Sequence, residues 1–187
     1  MFYLITGGSG SGKSAFAESQ ILSFGPGKRI YIATMYPFDE ESFARIARHR
    51  NMRAEKQFDT IECYTGLKNI ELPDHAVILL ECMSNLAANE MFQEEGAGER
   101  TVEEIMSGIR VLLEKAEHLV VVTNEIFSDG INYDDETRRY QKYLGDINRQ
   151  MAALADDVTE VVYGIPVVIK RGGKLAKQLN REAALHS

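Results

Sequence analysis

Three sets of residues in this chain have types and spacings suited to chemistry. The first is Gly7, four further residues, then Gly12-Lys13-Ser14, which completes the phosphate-loop pattern GxxxxGK[ST]. Phe2-Tyr3-Leu4-Ile5 before it is β-prone, and Ala15 to Leu22 after it reads as a helix. Strand, glycine loop and helix in that order aim backbone N–H groups and a positive helix end at one point. Gly7, Gly8, Gly10 and Gly12, interleaved with Ser9 and Ser11, let the backbone close on phosphate oxygens. Lys13 would reach the β- and γ-phosphates, and the Ser14 hydroxyl would ligate Mg²⁺. A flexible turn that binds nothing would need neither the terminal Lys-Ser nor the flanking elements. The pattern implies a nucleoside triphosphate.

The second set lies where apolar runs end. Glu81 follows Val77-Ile78-Leu79-Leu80, the way a Walker-B-type acid is presented to Mg²⁺. The plainer role for Glu81 is to cap the next helix. Asn124 and Glu125 follow Leu119 to Thr123 and divide evenly between site and scaffold. The third set is Arg45-Ile46-Ala47-Arg48-His49-Arg50-Asn51-Met52-Arg53, a basic stretch in an otherwise acidic chain. Cations are favoured at a helix C-terminus, so a solvated helix end accounts for it on charge alone. The sharper alternative is an anion site with His49 as a neutral nucleophile that forms a phosphoramidate. His75, His118 and His186 lack such surroundings and read as structural or surface residues.

Composition narrows the classes. At 187 residues the chain fits one domain, expected over 1–170 with a polar tail over 171–187. A net charge of −7 argues against general nucleic-acid binding, which is driven by phosphate neutralisation. No apolar run is long enough to span a membrane, and a strand beginning within two residues leaves no room for a signal peptide. Cys63 and Cys82 are too few for a disulfide scaffold or a zinc site, so a reduced, cytoplasmic setting is expected.

Alternating strand and helix signals place these residues on an α/β domain with a largely parallel sheet. Strands are expected at 29–34, 60–63, 76–80, 119–123, 159–163 and 167–170. Helices are expected from Asp39 to about His49, from Asn85 to Met91, from Thr101 and from about Asp135 to Leu154. Thr101 and Glu104 form a capping-box pattern. Tyr140, Tyr143, Leu144, Ile147, Met151 and Leu154 form a core stripe. Gln93 to Arg100 reads as an exposed, mobile loop. In a doubly wound sheet, ligands sit beyond the carboxyl ends of the strands, where all the candidate residues except the basic stretch lie.

With these residues laid out, the chain resembles the bifunctional adenosylcobinamide kinase/adenosylcobinamide-phosphate guanylyltransferase family of cobalamin biosynthesis. The resemblance runs from about Phe2 to Lys170. It rests on Thr6-Gly7-Gly8 through Ser14, Tyr31-Ile32-Ala33-Thr34, Arg45-Ile46 and His49-Arg50 with Arg53. It continues through Thr60, Glu62, Leu79-Leu80-Glu81-Cys82, Asn85-Leu86, Val122-Thr123-Asn124-Glu125, Asn148, Ala155-Asp156 and Gly164-Ile165-Pro166. It implies a RecA-like P-loop fold and a homotrimer. It also implies two reactions: phosphorylation of adenosylcobinamide by ATP or GTP, and transfer of GMP from GTP through a histidine. His49 matches that histidine, with Lys13 and Glu81 as further catalytic residues. Arg50 and Arg53 would steady phosphates, and Ala33, Thr34 and Glu62 match positions lining the guanine-nucleotide site. Three departures stand out: Ser9-Gly10 where Ala-Arg is common, Phe58 where Trp is usual, and Phe127 to Asp134 where only Gly130-Ile131 survives of the family's loop. A single-activity guanylyltransferase or small-molecule kinase of this fold, and a nucleotide-dependent switch without a small-molecule acceptor, are the alternatives.

Overall fold

The computed structural model describes residues 1–38, 43, 46–47, 56–126 and 133–176. The apolar runs become β1 (Phe2–Thr6), β2 (Arg29–Ala33), β3 (Phe58–Glu62), β4 (Ala76–Glu81) and β5 (Ala116–Val122). β6 (Asp157–Val162), β7 (Ile165–Arg171) and β8 (Lys174–Leu175) follow. Among the described residues these form one sheet, in the order β3-β2-β4-β5-β1-β6-β7-β8. Pairing is parallel from β3 across to β6 and antiparallel from β6 through β8. This is the RecA-like P-loop α/β fold, a largely parallel sheet flanked by helices.

The central strands are apolar throughout because both faces are covered. On one face Ile5, Tyr31, Val77, Leu79, Val120 and Val122 pack with Ala17 and Ile21 of α1 (Lys13–Ser23). On the other, Leu4, Ile32, Ile78, Leu80, Leu119 and Val121 pack with α2 (Met83–Phe92), α3 (Thr101–Lys115) and α4 (Asp135–Leu154). The register aligns Ala33 with Glu81, Glu81 with Val122, and Val122 with Ile5. The strands therefore end level, and everything beyond them meets at one rim.

Several local features differ from what the sequence suggests. Thr101 is the first residue of α3 rather than its cap, and its hydroxyl donates to Gly98 O at 2.6 Å. Glu104 pairs with Lys68 instead of closing a capping box. α2 begins two residues early, at Met83, directly after Cys82. Of the α4 stripe, Leu144, Ile147 and Met151 are buried, but Leu154 is 48% exposed because the helix ends there. Lys170 Nζ donates to the carbonyls of Ala152, Ala153 and Ala155, satisfying the end of α4. The segment from Gln93 to Arg100 is tied down: Glu90, fully buried, accepts from Ala97 N and Gly66 N. A short 3-10 turn over Gly98–Arg100 completes it. The sheet also continues past residue 170, into β8, where the sequence suggests a polar tail. The helix expected from Asp39 to about His49 falls mostly outside the described residues, as does most of the divergent loop, 127–132.

Candidate active site

The phosphate loop joins β1 to α1 and is shaped by residues that only glycine satisfies. A Cβ on Gly7 would lie 2.5 Å from Val161 O and 2.6 Å from Ser11 Oγ, at a φ of +152°. Gly12 caps α1 in the left-handed region, φ +91°. The loop is braced from outside as well. Tyr163 and Gly164 form a tight turn with φ of 50° and 78°, and Gly164 N donates to Ser11 O at 2.8 Å. On the other side, Glu125 N donates to Gly7 O at 3.2 Å. Lys13, nearly buried, turns back so that Nζ donates to Gly8 O at 3.0 Å. Ser9 and Gly10 form the exposed crest of the loop.

β4 is two strands from β1, and the level strand ends bring its acid to the loop. Ser14 Oγ donates to Glu81 Oε1, while Tyr31 OH donates to Glu81 Oε2 at 2.7 Å. Both carboxylate oxygens are thereby oriented by side chains from α1 and β2. A serine hydroxyl and a carboxylate in contact are a hard-oxygen pair of the kind that suits Mg²⁺. Among the described residues no group of three or more His, Cys, Asp or Glu could hold a metal.

Thr34 and Cys82 form the seam beside this acid. Thr34 N donates to Glu81 O, its hydroxyl accepts from Cys82 N at 2.8 Å and donates to Cys82 O at 2.9 Å, and its carbonyl accepts from Asn89 Nδ2. Thr34 is 0% exposed, and Ala33 beside it is buried. Burial pushes the Cys82 thiol up, against the lowering effect of Ser84, so it stays protonated and is a poor nucleophile near neutrality. Beyond β5, Asn124 Nδ2 donates to Ser84 Oγ at 2.7 Å, and Thr123 Oγ1 donates to Asn148 Oδ1. Tyr140 reaches in from α4 to donate to Ser84 O, and burial pushes its phenol up to about 12.

Two clefts open from this rim. One, of about 630 Å³, is polar and lined by Glu62, Tyr64, Thr65, Asn69, Glu94 and Glu95, among others. Glu62 stands exposed at the end of β3 and accepts from Tyr64 OH at 3.0 Å. The second, about 450 Å³, lies between the chain leaving β2 and helix α2, and shares Tyr36 and Gln93 with the first. The structure thus brings Gly7 to Ser14, Ala33, Thr34, Glu62 and Glu81 to one end of the sheet. His49, Arg50 and Arg53 lie outside the described residues. Tyr36 and Tyr163 are site features that the sequence did not single out, and the bonds of Tyr31 and Gly164, both part of the resemblance, reach partners distant in the chain.

The family model described as cobinamide kinase / cobinamide phosphate guanyltransferase matches residues 3–169. The chain belongs to this family. Among curated proteins, the bifunctional adenosylcobalamin biosynthesis protein CobU of Escherichia coli strain K12 is 34% identical, over 91% of this chain and all of that protein. The namesake from Salmonella typhimurium is also 34% identical, with the same coverage. The CobP protein of Pseudomonas aeruginosa is 28% identical, over 89% of this chain and 96% of its own. Two solved structures give lower scores. The flagellar accessory protein FlaH of Methanocaldococcus jannaschii has a TM-score of 0.47 at 14% identity, covering 92% of this chain and 80% of its own. The RadB recombinase has 0.44 at 17%, covering 85% and 73%. Family membership makes the chain a transferase of cobalamin biosynthesis, with kinase and guanylyltransferase chemistry. No helix among the described residues is long and apolar enough to cross a membrane.

Proposed function

We propose that the chain phosphorylates adenosylcobinamide with ATP or GTP, and then transfers GMP from GTP to adenosylcobinamide phosphate, giving adenosylcobinamide-GDP. The observation that carries this reading is the contact of Ser14 with Glu81 across the phosphate loop, in a chain of this family. In the first reaction the acceptor hydroxyl oxygen takes the γ-phosphoryl group, its proton leaves to solvent and the nucleoside diphosphate departs. Gly7, Gly8, Ser9, Gly10, Ser11 and Gly12 cradle the phosphates, and Lys13 releases Gly8 O to neutralise developing charge. Ser14 and Glu81 would hold Mg²⁺, which when bound would supply neutralisation of the charge on the phosphates.

In the second reaction an imidazole nitrogen of His49 attacks the α-phosphorus of GTP. A P–N bond forms as the P–O bond to pyrophosphate breaks. A phosphate oxygen of the corrinoid then attacks the same phosphorus, and the P–N bond breaks to regenerate His49. Arg50 and Arg53 would offset the charge on the transferring group. The polar cleft suits the base: the Glu62 carboxylate can accept from the N1–H and N2 amino group of guanine, and Ala33, its neighbour in register, and buried Thr34 would back the strand end that presents it. A cytoplasmic homotrimer goes with this assignment.

Incubation with GTP labelled at the α-phosphorus, followed by denaturation, tests the covalent step. Acid-labile, base-stable label is expected on the wild-type chain and not on His49→Ala. Absence of label from the wild-type chain would remove the transferase reading. A switch protein would bind nucleotide yet also fail to label corrinoid from γ-labelled ATP or GTP.

A further inference from the structure

The second cleft is a part of the rim that the phosphate chemistry does not use. It is lined by Met35, Tyr36, Phe38, Asn85, Ala88, Asn89, Phe92 and Gln93, and its walls are mostly apolar. Phe38 is 73% exposed and Phe92 51%, so two large aromatic side chains face solvent where burial would be favourable. The rings are also grouped. Tyr36 lies 5.0 Å from Phe38 and 5.2 Å from Tyr64, so Tyr36 forms the ridge between the two clefts.

The cleft is built into the site. Met35 follows Thr34 directly, and Asn85 lies four residues beyond Glu81 on the first turn of α2. Asn89 ties α2 to the end of β2 through its bond to Thr34 O at 2.8 Å. Both walls are therefore tied to the seam that holds Glu81. Asn85 and Gln93 add half-buried carboxamides, each offering donors and an acceptor.

We propose that this cleft holds the corrin macrocycle of the acceptor substrate, an assignment that rests on the function proposed above. The chemistry matches on three counts. A corrin is a broad, flat, conjugated ring whose faces are apolar, and exposed aromatic side chains give such faces a platform. Its rim carries carboxamide side chains, which pair with the amides of Asn85 and Gln93. A nucleobase is better served next door, where Glu62, Glu94 and Glu95 accept from N–H groups. The transfer needs two organic groups held on either side of one phosphorus, and two clefts divided by Tyr36 and Gln93 supply that arrangement.

The test uses the full chain and dicyanocobinamide, whose visible absorbance reports binding in equilibrium dialysis. A fluorescent GTP analogue, mant-GTP, reports the nucleotide site in parallel. In the double variant Phe38→Ala/Phe92→Ala, cobinamide affinity is expected to fall at least tenfold, with mant-GTP affinity within twofold of wild type. Because both rings are exposed, the thermal midpoint should hold, and Phe92→Tyr should keep the corrinoid. Cobinamide affinity retained within twofold by the double variant would overturn the cleft assignment alone. A parallel fall in mant-GTP affinity would overturn it too, by giving the cleft to the nucleotide. A wild-type chain that retains mant-GTP but no cobinamide overturns the function underneath, and this assignment with it.

Discussion

Thr34 shows how much one side chain can carry at the rim. Its N–H, carbonyl and both roles of its hydroxyl are all engaged, three of these bonds going to Glu81 and Cys82 and one to Asn89. Thr34 thus acts through the acid it holds, as a positioning residue. In Thr34→Val the shape is kept but two part-buried backbone groups of Cys82 lose their partner. Such a loss costs about 1–3 kcal/mol when fully buried, and these two are part-buried, so together about 2 kcal/mol, the low end of the sum, is expected, and Thr34→Ser should recover most of it. Urea denaturation measures this, and a Val variant as stable as wild type would show that the seam does not depend on the hydroxyl. At this scale, legibility in the sequence follows contiguity. Gly7 to Ser14 are readable because the loop is local, and Glu81 because it ends an unbroken apolar run. The bonds of Tyr31 and Thr34 to β4 depend on the register of two strands far apart in the chain, and nothing local encodes that.

Among the elements, the 3-10 turn over Leu67–Asn69 lines the polar cleft and packs on α3, and Gly108 sets how closely the two meet. A Cβ there would stand 2.7–2.9 Å from Leu67 Cβ, Cγ and Cδ2. Two effects oppose each other in Gly108→Ala. Helix propensity favours alanine by about 1 kcal/mol, while overpacking against a fully buried leucine costs about 1–3 kcal/mol. The clash is with the root of the Leu67 side chain, which cannot swing away, so the variant should lose about 1 kcal/mol net. A gain in the urea midpoint would mean that the turn yields instead. Periodicity revealed α4 and the β6–β7 hairpin because their patterns are long or bounded by Gly164. The start of α3 is legible but its cap is not, since Thr101 and Glu104 are spaced for a capping box whatever the chain does before them. Glu90 went unread for a related reason: its partners, Gly66 and Ala97, are backbone groups on two loops, and a backbone donor leaves no trace in a sequence.

For the molecule as a whole, two acids whose burial pushes them well above their ordinary range lower stability at high pH. Cys63 lies under the polar cleft, and burial, with the Glu90 carboxylate adding to it, pushes its thiol up from 9.0 to about 12. Burial likewise raises the Tyr140 phenol from 10.0 to about 12. Between pH 9 and 12 the unfolded chain releases these protons while the folded chain keeps them. The unfolded state then binds fewer protons, so stability must fall as pH rises through that window. Below pH 9 both states hold the protons and the two groups add no slope. A net charge of −7 adds general repulsion at alkaline pH, so the variants must separate the local terms from the global one. Cys63→Ala and Tyr140→Phe each remove one titrating group and leave the remaining charge unchanged below its onset. Both should start from a lower melting temperature at pH 7, one through a small cavity and the other through the lost bond to Ser84 O. Each should then descend less steeply than wild type between pH 9 and 11, and the double variant least steeply of all. Melting curves across that range, at fixed ionic strength, make the comparison. Parallel descents in all four proteins would assign the alkaline limb to overall charge, and would mean that neither proton is held by the fold.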